Sequence, residues 1–137
     1  MHRSAGPSQI AIDASALVEL LLRSTVGRAV ARVVAGAQLI APDVINPEVL
    51  QSLRGLERGG KLTSDRATKA VAALAQVPIT RVPTTGLIAD AWSLRANLSA
   101  YDACYVALAR DLDCPLLTTD APLRRAPSLG VTFLNIA

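Results

Sequence analysis

Short, fully apolar runs alternate with longer stretches of helical periodicity along this 137-residue chain, and this alternation limits the fold more than any other feature. The runs are bounded by proline, glycine or an acidic residue, which is typical of short buried strands. The predicted strands are 10–12, 38–41, 79–82 and 115–118, with a final edge strand at 131–136. Apolar strands separated by helices predict an α/β domain with a parallel sheet covered on both faces.

The segments between these strands carry helix signals. Asn46 is predicted as an N-cap, with Pro47 at the first helical position and Glu48 in the first turn, and Gly59 and Gly60 end this helix. The other predicted helices are 15–22, 26–34, 64–76, 85–96, 99–112 and 120–126. Residues 1–9 are expected to form a flexible tail, and residues 10–137 a single domain.

Histidine and cysteine are too scarce for several kinds of catalytic site. The one histidine, His2, lies in the expected tail, which excludes imidazole-based triads. Cys104 and Cys114 are too few for a disulfide scaffold or a cysteine zinc site, and both are expected to be reduced thiols in apolar surroundings. No apolar stretch is long enough to cross a membrane. We therefore expect a soluble, cytoplasmic protein without a membrane partner.

Charge and aromatic content point in different directions on nucleic-acid binding. The formal net charge of +3 comes almost entirely from arginine and favours a polyanionic partner only mildly. Aromatic residues make up 3% of the chain, which argues against domains that recognise nucleic acid mainly by stacking bases on rings.

Four acidic residues occupy positions where strands and helices meet. Asp13 ends the first strand, Glu48 begins the helix after the second, and Asp120 ends the fourth. Asp102 lies at the start of the helix that precedes the fourth strand. In parallel α/β sheets, ligands bind beyond the carboxyl ends of the strands. Each acid taken alone is explained by helix capping or by the helix dipole.

Taken together, the four acids indicate a cation site. Carboxylates gathered at one sheet edge repel each other unless a cation neutralises them. A cluster of oxygen ligands without histidine or cysteine is the donor set that Mg²⁺ or Mn²⁺ prefers. The hydroxyls of Ser15, Thr118 and Thr119 lie close in sequence to these acids and are predicted to orient them or to hold metal-bound waters. Local capping and turn bonds explain the same hydroxyls equally well.

Four colinear motifs carry a family resemblance. They are IAIDASALV at 10–18, NPEVL at 46–50, YDACYVALA at 101–109 and LLTTD at 116–120. In this order they resemble the PIN-domain family, and within it the VapC ribonuclease toxins of bacterial toxin–antitoxin pairs. Residues 90–97 also resemble that group, and the match spans the chain from Ile10 to Ile136.

The resemblance implies a three-layer α/β/α fold with a central parallel sheet of four to five strands. It implies an Mg²⁺- or Mn²⁺-dependent endoribonuclease that cleaves structured cellular RNA such as tRNA or rRNA. Its metal and catalytic residues would be Asp13, Glu48, Asp102 and Asp120. It further implies a homodimer and a VapB-like antitoxin whose tail would cover the acidic groove.

Arginines near the motifs are candidates for steering RNA to an acidic pocket. Arg95, Arg124 and Arg125 are the nearest, and Arg110 is a weaker candidate. For each of them, a solvated surface charge is the simpler explanation. The segment 63–76 is rich in small apolar residues, which fits packing on the core or a dimer face.

Two other functions are compatible with an α/β domain of this size. A response-regulator-like phosphoacceptor domain would need a second acid beside Asp13 and a lysine at a late strand end, but no lysine follows Lys69. A non-catalytic PIN-like RNA-binding or scaffold module remains the main alternative. Such a module is expected to lack one or more of the four acids, whereas this chain keeps them all.

Overall fold

A four-stranded, all-parallel sheet forms the centre of the protein, in the strand order β3-β2-β1-β4. The computed structural model describes residues 6–126 and 129–136, so residues 1–5 of the predicted tail lie outside the described residues. The strands are β1 (Gln9–Ile12), β2 (Gln38–Pro42), β3 (Ile79–Val82) and β4 (Leu116–Leu117). Helices flank this sheet, which confirms the predicted layered α/β class.

Seven α-helices connect and cover the strands in the described part of the chain. They are α1 (Ala14–Leu22), α2 (Thr25–Val34), α3 (Ile45–Arg58), α4 (Ser64–Gln76), α5 (Ile88–Ser93), α6 (Ala100–Leu112) and α7 (Ala121–Arg124). Most of them begin where a side chain accepts a hydrogen bond from the first turn, as Thr63 does from Arg66 N and Ser99 does from Asp102 N. Every helix of the described residues is too short or too polar to traverse a lipid bilayer.

Three local predictions differ from the structure. The predicted cap Asn46 lies inside α3, which begins at Ile45, because its side chain is engaged by a distant arginine instead. The predicted helix 85–96 is a 3-10 helix (Thr84–Leu87) followed by the short α5. The predicted edge strand 131–136 is reduced to a single parallel bridge between Leu116 and Phe133.

The strand order places β1 at the point where the chain changes direction across the sheet. β1 pairs with β2 on one side and with β4 on the other. The chain therefore adds strands first to one side of β1 and finally to the other. The crevice at the carboxyl ends of β1 and β4 is the topological switch point, which is where open α/β sheets bind their ligands.

The core is built from side chains of the sheet and from the inward faces of the helices. Ile10, Ile12, Leu116 and Leu117 are completely buried in the two strands at the switch point. The fully buried set also includes helical side chains, namely Leu17, Val30, Ile45, Val49, Leu53, Val106 and Leu108. The small apolar residues of α4 face inward at Ala67, Ala70 and Leu74, so this helix packs on the core. Cys114 is buried and Cys104 partly buried, and both are free thiols.

The crossing of α1 and α2 depends on a glycine. A Cβ atom placed on Gly27 would lie 1.9 Å from the backbone oxygen of Glu19. Ser24 caps α2 by accepting a hydrogen bond from Gly27 N at 2.9 Å, and its hydroxyl donates to the Glu19 carboxylate. These contacts fix the two helices at a separation that no larger residue permits.

We predict that Gly27→Ala lowers the free energy of unfolding by about 1–3 kcal/mol, because the added methyl group must push α2 away from α1. Gly55→Ala is the matched control, since Gly55 lies in α3 with no atom within 4 Å of an added Cβ. There the higher helix propensity of alanine should raise stability by about 0.5–1 kcal/mol. Urea unfolding of both variants measures the difference, and equal effects would contradict the close approach.

Candidate active site

Asp13 lies at the switch point and is almost completely buried. The register pairs Ile12 of β1 with Leu117 of β4, so the next residues, Asp13 and Thr118, stand side by side. Asp13 N donates to Leu117 O at 3.1 Å. The Asp13 carboxylate also caps α1, with Oδ1 accepting from Ala16 N at 3.0 Å. The end of the strand and the start of the helix therefore hold this side chain together.

Two hydroxyls join the corner after β1 to the corner after β4. Ser15 Oγ donates to Asp13 Oδ1 at 2.7 Å, and the Thr118 hydroxyl donates to Asp13 Oδ2. The same two hydroxyls also accept hydrogen bonds from the backbone: Thr119 N donates to Ser15 Oγ at 3.0 Å, and Asp120 N donates to Thr118 Oγ1 at 3.0 Å. Ser15 and Thr118 thus lie beside the acids, while Thr119 joins the network through its backbone N–H.

Glu48 is held by Tyr105, a residue of the 101–109 motif that was not among the predicted site residues. Tyr105 is buried, and its hydroxyl donates to Glu48 Oε1 at 2.7 Å across 57 positions of sequence. Tyr105 follows Asp102 by three positions on α6, so the two lie on neighbouring parts of the same helix surface. That spacing is the one sequence signal that pointed to Tyr105. The contact itself depends on how α3 packs beside α6.

Arg81 of β3 stabilises the first turn of α3, which carries Glu48. Its Nε donates to Asn46 Oδ1 at 2.8 Å, and its Nη2 donates to Leu74 O near the end of α4 at 2.7 Å. This contact explains why Asn46 does not cap α3. Pro47 lies within the first turn of α3, where the missing N–H removes no helical hydrogen bond.

Asp102 and Asp120 complete the acidic group from two further helix starts. Asp102 lies in the first turn of α6. Asp120 caps α7, with Oδ1 accepting from Leu123 N at 3.3 Å. Asp13, Asp102 and Asp120 therefore lie at helix N-termini, where the helix dipole favours negative charge. The structural and functional explanations of these acids are compatible, because one carboxylate can serve both.

The pKa values show that the acids share one electrostatic environment. Burial raises the pKa of Asp13, of Glu48 and of Asp102. The negative charge of Asp102 raises the pKa of Asp13 and of Glu48 further, and the charge of Asp120 does the same for Asp102. The four predicted acids are therefore linked electrostatically, with Asp102 between Asp120 on one side and Asp13 and Glu48 on the other.

Within the described residues, this cluster has no positively charged protein partner. The ion pairs found there are Lys69 with Asp65 and Arg110 with Asp90, and neither includes one of the four acids. The donor set fits a hard divalent cation, since it consists of carboxylates and hydroxyls. In the observed side-chain conformations, however, no group of three acids, histidines or cysteines of the described residues is close enough together to hold a metal ion. The four acids are therefore close enough to repel each other, but their carboxylates do not converge on one point.

The predicted RNA-contacting arginines lie in different environments. Arg124 donates to Leu134 O at 2.6 Å and to Asn135 Oδ1 at 3.1 Å, so it holds the C-terminal segment against α7. Arg125 is exposed. Arg95 is also exposed, with its guanidinium 4.6 Å from the centre of the Trp92 ring. Contact with RNA stays a prediction for all three.

Comparisons with known proteins agree on one family. The model of the PIN domain matches residues 10–129. Ribonuclease VapC3 of Mycobacterium tuberculosis is 41% identical over 121 residues, which cover 88% of each protein. The crystal structure of Mycobacterium tuberculosis VapC20, described as a Sarcin-Ricin loop cleaving toxin, superposes with a TM-score of 0.64 at 16% identity, over 90% of this chain and 98% of that one. VapBC2 from Rickettsia felis, solved bound to a DNA fragment from their promoter, gives 0.65 at 9% identity, over 93% and 98%.

The raised pKa values predict how stability depends on pH in metal-free protein. In the unfolded chain, aspartate and glutamate side chains titrate at about pH 4. In the folded protein, Asp13, Glu48 and Asp102 keep their protons to higher pH, because their pKa values are raised. Because the folded state then binds more protons, the free energy of unfolding should fall as the pH rises from about 4 through the raised pKa values.

Asp102→Asn should make this decline shallower, because it removes one titrating group and its charge on two others. Urea unfolding at pH 5, 6 and 7 in EDTA measures the slope. The control is Asp65→Asn, an exposed acid that should leave the slope of the wild-type protein unchanged. Identical slopes for wild type and Asp102→Asn would contradict the electrostatic coupling of the cluster.

Proposed function

Because this chain belongs to the PIN domain family, we propose that it is an endoribonuclease whose catalytic centre is formed by Asp13, Glu48, Asp102 and Asp120. One observation carries the proposal: four carboxylates from separate parts of the chain share an environment at the switch point. Among the described residues, no lysine or arginine forms an ion pair with any of the four carboxylates. Such an arrangement costs stability, and a role in binding a cation and a phosphodiester explains why it exists.

The proposed cofactor is Mg²⁺ or Mn²⁺, held by Asp13, Asp102 and Asp120 with Glu48 beside them. When bound, such an ion lowers the pKa of a coordinated water and neutralises charge that develops on phosphoryl oxygens. Asp13 is the most rigid of these ligands, since the Ser15 and Thr118 hydroxyls and Ala16 N fix its orientation.

Glu48 is the proposed base that orients the attacking water. Tyr105 occupies its Oε1, which leaves the second oxygen of the carboxylate to accept from a water. The raised pKa of Glu48, caused first by burial, makes this carboxylate a better proton acceptor than an exposed glutamate.

The proposed substrate is structured cellular RNA, such as tRNA or rRNA. The net charge of +3 and the exposed Arg95 and Arg125 favour approach of a polyanion to the acidic centre. The similar toxin VapC20 is described as cleaving the Sarcin-Ricin loop, which supports a structured RNA as the class of substrate.

The proposed protein partners are a VapB-like antitoxin and a second copy of the chain. An arginine or lysine of the antitoxin entering the acidic cluster would form charge-assisted hydrogen bonds with carboxylates that have no protein cation. For the homodimer, a shallow groove between α3 and α4 exposes Leu50 and Val71. The proposed dimer face is the outer side of α4, opposite the residues that pack on the core.

We expect Asp13→Asn to reduce RNA cleavage by more than about 100-fold, because it removes a charged ligand and keeps the shape of the side chain. Cleavage of a labelled hairpin RNA is measured beside circular dichroism, which checks the fold. Asp65→Asn, an exposed acid that pairs with Lys69 and is not one of the four acids, should cleave at the rate of the wild type. Full activity in folded Asp13→Asn protein would refute the assignment.

Addition of Mg²⁺ or Mn²⁺ should raise the melting temperature of the wild-type protein, because the cation relieves repulsion that is present only in the folded state. At about 100 times the dissociation constant, the stabilisation is about 2.7 kcal/mol. Differential scanning calorimetry with and without EDTA measures the effect, and EDTA should also stop cleavage. A shift of equal size in Asp13→Asn protein would mean that the cation binds elsewhere.

A further inference from the structure

Helix α3 begins without a side-chain cap, although its first turn carries Glu48. Val44 occupies the cap position and makes no side-chain hydrogen bond to that turn. The first N–H groups of an uncapped helix lack partners, and such helix ends fray. Some other contact must therefore hold the turn that places Glu48 in the acidic cluster.

Arg81 of β3 supplies this contact from outside the helix. Its Nε donates to Asn46 Oδ1 at 2.8 Å, two positions before Glu48. Asp43 N, just before the helix, donates to Val82 O at 2.7 Å, so the end of β3 holds the start of α3 at two points. We propose that Arg81 is a positioning residue for RNA cleavage, which acts through Asn46 to hold Glu48 in the acidic cluster. The proposal rests on the proposed function and adds to it a residue outside the four acids.

The guanidinium of Arg81 is half-buried and donates to two further acceptors. Nη1 donates to Ile79 O at 3.2 Å, and Nη2 donates to Leu74 O at 2.7 Å. Leu74 lies in the last turn of α4, where carbonyls lack helical partners and the helix dipole favours a cation. Arg81 therefore ties β3, the end of α4 and the start of α3 together, and the planar fork of a guanidinium is rigid enough to act as this brace.

Arg81 acts through geometry rather than through its charge. Neither ion pair found among the described residues includes it, and its three acceptors are uncharged. Burial first, and then Tyr105, Asp102 and Asp13, shift the pKa of Glu48. Arg81→Lys keeps the positive charge but loses the fork, so this variant separates the two kinds of action.

Glu48 is thus held at two places. Tyr105 fixes its carboxylate with a hydrogen bond of 2.7 Å, and Arg81 with Asn46 fixes the backbone turn that carries it. A carboxylate that orients an attacking water must keep its place closely, since a displacement of about 1 Å can cost about 100-fold in rate. Loss of the brace should therefore slow the chemical step more than it weakens RNA binding.

Cleavage kinetics of Asn46→Ala and Arg81→Lys on a hairpin RNA test the proposal. In both variants kcat and kcat/KM should fall together by about 10- to 100-fold, because the support of Glu48 acts in the transition state. The matched control is Arg66→Lys, since Arg66 Nη2 makes a comparable helix-end contact of 3.2 Å with Leu22 O of α1. It should lower stability but leave both constants unchanged. Unchanged constants in folded Asn46→Ala protein, or an equal loss in Arg66→Lys, would overturn the proposal.

Two further variants show whether Arg81 acts through Asn46. Asn46→Asp keeps an oxygen acceptor for the guanidinium and should stay within about threefold of the wild-type kcat. The double variant of Arg81→Lys with Asn46→Ala should lose no more kcat than the slower single variant, because both substitutions remove the same contact. Losses that multiply, or a failure of Asn46→Asp to keep activity, would mean that the two residues act independently and would overturn the proposal.

Hydrogen–deuterium exchange tests the structural step without RNA. Backbone amides within residues 43–50 should exchange about 3- to 10-fold faster in Asn46→Ala and Arg81→Lys than in the wild type, since a single hydrogen bond braces the turn. Unchanged exchange there would overturn the proposal even if cleavage slows. If Arg81→Lys does not fold, Asn46→Ala and Asn46→Asp, which leave the contact with Leu74 in place, decide the question. If the wild-type protein cleaves no RNA, the proposed function fails, while exchange still decides whether Arg81 holds this turn.

Discussion

The rest of the site depends on the burial of the Asp13 carboxylate at the junction of β1 and β4. One side chain caps α1, accepts the hydroxyls of Ser15 and Thr118, and thereby ties two corners of the chain that are more than 100 positions apart. Buried charge is tolerated only where its hydrogen bonds are made. Thr118 is completely buried and must also find partners, so the two residues satisfy each other and hold the crevice in shape.

This arrangement combines stability with an unfavourable charge distribution. The helix N-termini at Asp13, Asp102 and Asp120 favour negative charge, whereas burial and mutual repulsion oppose it and raise the pKa values. A lysine or arginine in the cluster would remove the repulsion, but it would also occupy the place of a cation and a phosphate. Sites that are poised for a ligand commonly accept such a cost in the free protein.

Local patterns predicted the elements well, and long-range contacts account for the differences. The strands and most helices follow from apolar runs, caps and proline positions, each of which acts within a few residues. Asn46 looked like a cap because the sequence does not show that Arg81 lies beside it. Tyr105 was not predicted as a site residue, because its partner, Glu48, is 57 positions away. The final segment pairs at only one bridge, since β4, which it follows, has two residues.

The sequence by itself determined the α/β class, the parallel sheet and the four acids at strand and helix ends, because periodicity and capping are local properties of a chain. Only the tertiary structure decided that the acids share one electrostatic environment and that hydroxyls and Tyr105 hold two of them. The physical reason is that distance through space depends on strand order and helix packing. Strand order and helix packing depend on the burial of many side chains at once, which no single motif of the sequence specifies.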